Sequence, residues 1–414
     1  MKPKKVGVLG PFGWGNLGDA AIQQAMIEHI RQHFPGVQIY GFSLNPVDTE
    51  ARHGIPSFPI SRWGEQGIED ANRLVQWLVR HTPSKIGKWI QRIPYEFGLY
   101  RQAYHNLKGF DALFISGGGQ LDDYWGGAWS HPYTLMKFTS LARIRGAKVF
   151  FVSVGAGPLD TRLGRLFDRL ALTFANYRSY RDEKSKNYIA NVVGFRKDDP
   201  VYPDLAFSLL GLDLLLSQKE QQTEKIIGIN PMSYFDPRIW PEKDQDVYMN
   251  YLGKLAEFIL WLIPQGYKIL LFPGEAIHDT QAGKDLLAIL AKSAPNYPAS
   301  HVILPQIESV EELLAHLAAV QMVVASRFHS VLLSKLLHKP IVALSYHPKV
   351  DALMTDTGQT EYCLQIHDFE VNILKERFSA LAAVQDLASQ QISSRVQQYR
   401  TALDEQYDHI FRSI

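Results

Sequence analysis

Short apolar runs that end in glycine recur along this sequence. Residues 5–10 form one such run and lead into a Gly/Pro cluster, after which residues 20–33 place apolar side chains at helical spacing. Residues 112–116 and 148–154 form two more runs, and each again stops at a group of glycines. Because buried strands that alternate with helices are typical of parallel sheets, this pattern predicts a sheet with helices on both faces. Ligands of such sheets bind at the carboxyl ends of the strands, where these glycines lie.

The second half of the chain repeats the alternation. Its predicted strands are residues 225–230, 267–272, 302–304, 322–325 and 341–345. At roughly 100–200 residues per domain, a chain of 414 residues has room for two such units, so we predict an α/β protein with two Rossmann-like domains. The expected boundaries are residues 1–217 for the N-terminal domain, 218–385 for the C-terminal domain and 386–414 for closing helices.

Charge and cysteine content argue against several classes of protein. The chain has 43 Lys and Arg against 42 Asp and Glu, without a block of like charges, so it lacks the basic surface typical of nucleic-acid binders. Its single cysteine, Cys363, can form neither an intramolecular disulfide nor a CxxC zinc site. The apolar runs are too short for a signal peptide or for the ~20 residues of a membrane span. We expect a cytoplasmic protein without nucleic acid, metal or cofactor, and contact with the inner membrane surface stays open.

The first glycine loop, residues 13–19, follows a predicted strand and opens a helix. Backbone N–H groups and the helix dipole at such a turn favour an anion or another polar ligand. The glycine spacing matches neither a dinucleotide-binding loop nor a P-loop. Asn16 and Asp19 are open to two interpretations: either side chain could cap the helix, or Asp19 could orient or deprotonate a hydroxyl group.

Cationic side chains follow several later strands. Arg327 and His329 lie at a strand-to-helix turn, an arrangement that suits a phosphorylated, carboxylated ligand. Lys349 follows the next strand and is expected at the same edge of the sheet. Arg181 lies near a helix start in the first domain, and His278 follows a Pro-Gly-Glu turn in the second. Each could instead be a structural or surface charge, so only their shared position at strand ends favours a binding site.

Two segments interrupt the alternation. Residues 63–107 interleave aromatic and basic side chains and are either a helical hairpin packed on the core, or a flap or interfacial patch near the ligand. Residues 122–127 form an acidic and aromatic loop just past a glycine turn. Loops in that position suit sugar-type ligands, which makes Gly118, Gly119 and Asp122 candidate binding residues.

In their order along the chain, these motifs resemble those of polysaccharide pyruvyl transferases. The motifs are Gly15-Asn16-Leu17-Gly18-Asp19, Gly117-Gly118-Gly119, Gly155-Ala156-Gly157-Pro158, Ser179-Tyr180-Arg181-Asp182, Asp204 with Ala206-Phe207, Ser326-Arg327-Phe328-His329 and residues 346–349. The resemblance spans residues 6–354. It implies a glycosyltransferase-B-like pair of Rossmann-type domains with the active cleft between them, the first on the acceptor side and the second on the phosphoenolpyruvate side.

The family transfers the pyruvyl group of phosphoenolpyruvate to two hydroxyls of a sugar, forming a cyclic ketal and releasing phosphate, in exopolysaccharide or cell-wall polysaccharide biosynthesis. The resemblance implies that the donor is bound by Arg181, Arg327, His329 and Lys349. We expect His329 to act as the general acid and Asp19 to orient the acceptor hydroxyl. The remaining residues predicted to bind substrate are Asn16, Gly118, Gly119, Asp122 and His278.

The acceptor implied by the resemblance is a sugar or glycan, which could be free, nucleotide-linked or lipid-linked. The sequence departs from familiar members in the insertion at residues 63–107 and at Ala20, where an acidic residue is common. One alternative is a nucleotide-sugar glycosyltransferase, although no suitable ribose-binding Glu follows His329. Another alternative is a non-catalytic carbohydrate-binding protein, in which the cationic residues would be expected to have been lost.

Overall fold

The computed structural model describes residues 4–13, 15–61, 96, 98–124, 126–217, 224–240 and 242–414. The chain divides into two compact units. Unit 1 comprises Met1–Trp14, Ile22–Leu205 and Glu405–Ile414, and unit 2 comprises Gly15–Ala21 and Ala206–Asp404. The domain boundaries drawn from the sequence stay predictions. Most of the predicted insertion at residues 63–107 lies outside the described residues.

Unit 1 is built on a parallel sheet. Its strands are β1 (Lys5–Leu9), β2 (Gln38–Ser43), β3 (Ser57–Pro59), β4 (Ala112–Ser116), β5 (Gly119–Leu121), β6 (Lys148–Ala156) and β7 (Tyr177–Tyr180). The strand order is β3-β2-β1-β4-β6-β5, and β7 pairs with β6. The helices are α1 (Leu17–His33), α2 (Pro46–His53), α3 (His131–Ile144), α4 (Arg162–Phe174) and α5 (Glu183–Tyr188), and α1 begins in the segment grouped with unit 2.

The sheet of unit 1 is buried because its strands are apolar on both faces. In β4 all five residues are buried, and the register pairs Phe114 of β4 with Phe150 of β6. The two rings stack with centroids 5.2 Å apart, a favourable offset arrangement for aromatic side chains. This core holds the glycine turns that follow β4 and β6 in fixed positions.

Unit 2 is built on a second parallel sheet. Its strands are β8 (Ile226–Asn230), β9 (Lys268–Leu271), β10 (Val302–Ile303), β11 (Met322–Ala325), β12 (Ile341–Ser345) and β13 (Cys363–Gln365). The helices are α6 (Asp213–Ser217), α7 (Gln245–Leu262), α8 (His278–Ser293), α9 (Val310–Ala318), α10 (Phe328–Leu336), α11 (Pro348–Asp356), α12 (Val371–Ala383) and α13 (Gln385–Phe411), whose last residues belong to unit 1.

The strand order of unit 2, β10-β9-β8-β11-β12-β13, is that of the Rossmann fold. The direction in which successive strands are added reverses between β8 and β11. The carboxyl ends of these two strands therefore flank the crevice in which such sheets bind ligands.

Most predicted elements are present, with shifted ends. Strands β4, β11 and β12 have the predicted bounds, whereas α10 begins at Phe328 rather than at residue 330. The earlier start makes Arg327 the residue that precedes the helix and places His329 in its first turn. Over the described residues, no helix combines the length and apolarity needed to cross a membrane.

Candidate functional site

The crevice of unit 2 is organised by Asn230, the last residue of β8. Its side-chain oxygen accepts a hydrogen bond from the backbone N–H of Arg327 at 3.2 Å, and its amide donates to the carbonyl of Phe272 at 3.0 Å. Asn230 is only 1% exposed. The turn that carries Arg327 is therefore tied to the carboxyl ends of β8 and β9.

The guanidinium of Arg327 is held by Asp279, a fully buried residue near the start of α8. Arg327 Nε donates to Asp279 Oδ2 at 2.5 Å, and Nη2 donates to Oδ1 at 2.7 Å. A two-pronged pair of this kind is among the strongest charge-assisted contacts in proteins. Burial opposes the charge of Arg327, but the Asp279 carboxylate outweighs it and raises the pKa of the guanidinium above its ordinary value.

His329 lies against the first glycine loop, whose residues Gly15–Ala21 belong to the same unit. A Cβ atom added to Gly18 would lie 2.1 Å from two atoms of the imidazole ring. Any side chain at this position would displace the ring. The predicted catalytic histidine and the glycine loop are thus brought together, and Gly18 is required for that contact.

Asn16 folds the glycine loop onto the start of α1. Its side-chain oxygen accepts from the backbone N–H groups of Gly18 and Asp19, at 3.0 and 3.3 Å, and its amide donates to the Asp19 carboxylate at 2.8 Å. Asn16 therefore acts as a helix cap, as one of the two interpretations proposed. The same amide orients the Asp19 carboxylate.

The loop that precedes α8 fixes this glycine loop from the other side. Leu17 N–H donates to the carbonyl of Gly274 at 3.2 Å, and Ala276 N–H donates to that of Gly15 at 2.9 Å. Glu275, which is 9% exposed, uses its carboxylate to cap α8. Asn16, Arg327 and His329 consequently share one rigid corner of unit 2.

Lys349 and His278 are more loosely placed. Lys349 is the second residue of α11, and its Nζ lies 5.7 Å from the ring centroids of both Phe328 and Tyr346. Its ammonium group thus lies beside Phe328, which stands between Arg327 and His329 in the sequence. His278 is the exposed first residue of α8, and its backbone N–H donates to Glu275.

In unit 1, Arg181 follows the last residue of β7 and crosses the end of β6, where Gly155 lies. A Cβ atom added to Gly155 would lie 2.8 Å from Nη2 of this arginine. Arg181 Nη1 donates to Asp204 at 3.3 Å, and Nε lies 3.6 Å from Asp182. The Arg181 side chain is 12% exposed, so it is held at the sheet edge rather than free on the surface.

The predicted acceptor loop of unit 1 contains two aspartates with different roles. Asp122 lies beside the glycine turn, with Oδ2 3.4 Å from where a Cβ of Gly119 would be. Asp123 is 5% exposed and accepts hydrogen bonds from Asp160 and Thr161. Burial would raise its pKa, but these hydrogen bonds outweigh burial and lower the pKa below its ordinary value. Asp123 therefore anchors the start of α4.

Gly118, in the turn after β4, is bonded to Gly155 near the end of β6. Its φ of +67° lies in the left-handed region, which favours glycine, and its carbonyl accepts the N–H of Gly155 at 2.7 Å. Gly118, Gly119, Asp122 and Arg181 are therefore grouped at the carboxyl edge of the first sheet. Within the described ranges, no group of three His, Cys, Asp or Glu side chains is placed to hold a metal ion.

Sequence reasoning missed Asn230. It noted Asp279 beside His278 among the polar residues that follow a strand, but it gave Asp279 no role of its own. The available signal was its place five residues after Gly274, at the end of a predicted strand. Only the three-dimensional structure pairs Asp279 with an arginine that lies 48 residues away in sequence.

Comparison with known families identifies the relationship. The sequence model of the family described as polysaccharide pyruvyl transferase matches residues 16–348. The chain belongs to this family. The matched segment begins at Asn16 and ends one residue before Lys349. It therefore contains every predicted site residue except Lys349. No curated protein matches the sequence significantly.

Several solved structures share the fold of this family member at low sequence identity. The UDP-GlcNAc 2-epimerase of Neisseria meningitidis, bound to UDP-GlcNAc, has a TM-score of 0.58 and 12% identity, with 99% of this chain and 100% of that chain covered. A glycosyltransferase of Rickettsia africae has a TM-score of 0.53 and 9% identity, with 100% and 99% covered. The UDP-GlcNAc 2-epimerase of Methanocaldococcus jannaschii has a TM-score of 0.55 and 11% identity, with 91% and 92% covered. These structures confirm the predicted glycosyltransferase-B-like fold class.

Proposed function

We propose that this protein transfers the pyruvyl group of phosphoenolpyruvate to two hydroxyls of a sugar, forming a cyclic ketal and releasing phosphate. The observation that carries the proposal is the corner of unit 2 in which Arg327, His329 and the Asn16 loop meet within a sequence of this family. The reaction takes place where phosphoenolpyruvate is made, in the cytoplasm.

The donor carries a carboxylate and a phosphate, so its binding needs cations held in fixed positions. Arg327 presents a planar guanidinium that suits both groups, and Lys349 adds a compact positive charge beside Phe328. Arg181 supplies a further guanidinium in unit 1. His278 is an additional donor for the same anion through its exposed imidazole, because its backbone N–H is bonded to Glu275.

The reaction begins with transfer of a proton from His329 to the methylene carbon of phosphoenolpyruvate. The double bond is consumed, and positive charge develops on the neighbouring carbon. A sugar hydroxyl adds to that carbon and loses its proton to Asp19. The bond from this carbon to the phosphate oxygen then breaks, and phosphate departs with the bonding electrons. A second hydroxyl of the sugar adds to the same carbon and passes its proton to His329, which restores the acid and closes the ketal. The proton held by Asp19 leaves with the phosphate.

The acceptor is a sugar or glycan, free, nucleotide-linked or lipid-linked, with two hydroxyls close enough to share one carbon. Asp19 and Asp122 are the carboxylates that we assign to hydroxyl binding, with Asn16 orienting Asp19. Gly119 is exposed and offers backbone groups for further polar contacts with the sugar, whereas Gly118 is buried and shapes the turn. Asp123 has no part in this assignment because its carboxylate is occupied by Thr161 and Asp160.

The proposal is tested by incubating the protein with phosphoenolpyruvate and a panel of pyranosides, nucleotide sugars and lipid-linked sugars. We expect one class of acceptor to gain the mass of one pyruvyl ketal, with release of an equal amount of phosphate. Absence of both products across the panel would contradict the proposal. The His329→Ala variant is expected to release no phosphate while remaining folded, because the general acid is missing.

The matched control is His367→Ala, which removes an exposed histidine of the same unit, 61% exposed at its side chain. We expect its phosphate release to equal that of the wild type. If His329→Ala retained wild-type turnover, His329 would not be the acid.

A further inference from the structure

A guanidinium group offers two edges for planar anions, one formed by Nε and Nη2 and one by Nη1 and Nη2. In Arg327 the first edge is taken by the Asp279 carboxylate, at 2.5 and 2.7 Å. Nη2 also approaches the hydroxyl of Ser233 at 3.4 Å. Nη1 makes no hydrogen bond to any residue in the described part of the chain, so that end of the guanidinium keeps its donors for a ligand.

Asp279 is itself fixed on all sides. Its carboxylate accepts the backbone N–H groups of Gly274 and Glu275, at 3.0 and 2.9 Å, as well as the two bonds from Arg327. It is fully buried at the start of α8. The carboxylate therefore cannot turn to follow the arginine, and the arginine must adopt the orientation that the carboxylate sets.

The aliphatic part of the Arg327 side chain is confined as well. It passes over Gly274, where a Cβ atom would lie 2.7 Å from the arginine Cδ. The turn before α8 thus provides the surface under the side chain, and the first turn of α8 provides the carboxylate at its end. Few rotamers of Arg327 satisfy both conditions, which reduces the entropy lost when a ligand is bound.

We infer that Asp279 is a positioning residue for Arg327: it occupies the Nε edge so that the Nη1 end meets an anionic group of the substrate. The inference deepens the proposed function and rests on it for the identity of the substrate, phosphoenolpyruvate. It also assigns the contact geometry, because a carboxylate or phosphate oxygen must approach the guanidinium end-on, at Nη1, and not from the side.

Another arginine and aspartate pair of unit 2 provides a matched control. Asp285, on the same helix, accepts from Arg238 at 2.5 Å and from Tyr248 at 2.7 Å. The Arg238 side chain is 46% exposed, and neither partner belongs to the candidate site. Asp285→Asn therefore removes a comparable carboxylate charge without changing the environment of Arg327.

The test compares Asp279→Asn with Asp285→Asn in steady-state turnover and in calorimetric binding of phosphoenolpyruvate. Asn accepts through one oxygen only, so it cannot receive both guanidinium bonds. We expect the KM and Kd for phosphoenolpyruvate to rise about 10-fold in Asp279→Asn, with a smaller change in kcat, because a charge-assisted contact that orients the anion site is lost. Asp285→Asn is expected to stay within about 2-fold of the wild type, as is usual for exposed pairs.

A double-mutant cycle with Arg327→Lys distinguishes positioning of Arg327 by Asp279 from a purely structural role of Asp279. Lysine has no guanidinium edge that Asp279 could orient. If Asp279 acts through Arg327, the effect of Asp279→Asn on Kd falls to less than about 2-fold in the lysine background. Equal effects in both backgrounds, or an unchanged Kd in the single variant, would overturn the inference. Donor binding by the wild type without ketal formation would overturn the proposed function alone, and absence of donor binding would overturn both.

Discussion

Arg181 of unit 1 and Arg327 of unit 2 follow strands in similar ways, yet the two units hold them differently. Each side chain passes over a glycine near the carboxyl edge of its sheet, Gly155 and Gly274 respectively. Arg327 makes two short bonds to one buried carboxylate. Arg181 makes single contacts of 3.3 and 3.6 Å to two separate carboxylates.

The difference lies in how the plane of each guanidinium is set. A two-pronged contact to one carboxylate fixes both the position and the plane of Arg327, whereas Arg181 is bonded to two carboxylates that it meets singly. We interpret Arg327 as the cation whose plane is set before a ligand binds. Substitutions that remove the guanidinium plane should therefore affect the two positions unequally.

The largest effect is expected from Arg327→Lys. Lysine cannot satisfy both oxygens of Asp279 and a ligand at once, and it leaves a buried carboxylate only partly paired. We predict a Kd for phosphoenolpyruvate that is about 100-fold higher, against about 10-fold for Arg181→Lys, both measured by calorimetry. Equal losses at the two positions would show that the two-pronged contact with Asp279 gives Arg327 no special importance.

Glycines at the two sites allow a second, smaller test. Gly18→Ala places a methyl group 2.1 Å from ring atoms of His329, whereas at Gly155 the nearest atom, 2.8 Å away, is the end of the flexible Arg181. We expect kcat to fall about 10-fold to 100-fold in Gly18→Ala, because overpacking displaces the ring. Gly155→Ala should lose only a few-fold.

The control for both glycine variants is Gly253→Ala, in the middle of α7. Apart from the backbone of the helix itself, none of the described residues has an atom within 4 Å of a Cβ added there. Since alanine favours a helix more than glycine does, this variant should keep full turnover and be slightly more stable. A kcat for Gly18→Ala equal to that of Gly253→Ala would show that the loop does not constrain His329.

The sequence predicted the fold class well because buried parallel strands are apolar throughout, as in β4, β11 and β12. It also selected Arg327 and His329, since residues at strand ends cluster at one sheet edge. It noted Asp279 only as the neighbour of His278, because the pairing of Asp279 with Arg327 depends on how α8 and α10 are placed around the sheet. The contact between Gly18 and His329 was likewise invisible, since 311 positions separate them in sequence and neither residue type implies the other.

A third test uses two buried aspartates, one in each unit, and has the smallest expected effect. Asp168 on α4 is fully buried like Asp279, but neither of its oxygens has a hydrogen-bond partner in the described residues. Burial, and then the charges of Asp122 and Asp123, raise the pKa of Asp168 well above its ordinary value. In the folded protein the proton is therefore retained at a pH where the unfolded chain has lost it.

The sign of the pH effect follows from this difference. Above the unfolded pKa of about 3.9, the folded state binds more protons, so the contribution of Asp168 to stability falls as pH rises toward the folded pKa. Asp168→Asn, which mimics the neutral acid, should be a degree or more higher in Tm at pH 8, with a smaller gain at pH 5. A gain in Tm that does not depend on pH would contradict the raised pKa of Asp168. Asp279→Asn is expected to lower Tm instead, because the Asp279 carboxylate is paired with Arg327.

The central claim is that the anion site of this family member is built for phosphoenolpyruvate, although its structural neighbours include a protein bound to UDP-GlcNAc. It is tested without knowledge of the acceptor by measuring Tm with phosphoenolpyruvate and, separately, with UDP-GlcNAc. We predict that phosphoenolpyruvate at about 100 times its wild-type Kd raises Tm by about 2 °C or more, and that UDP-GlcNAc has no effect. Arg327→Lys should reduce the shift to about one-sixth at the same concentration, because that concentration only equals the Kd expected for the variant. Stabilisation by UDP-GlcNAc with no response to phosphoenolpyruvate would contradict the claim.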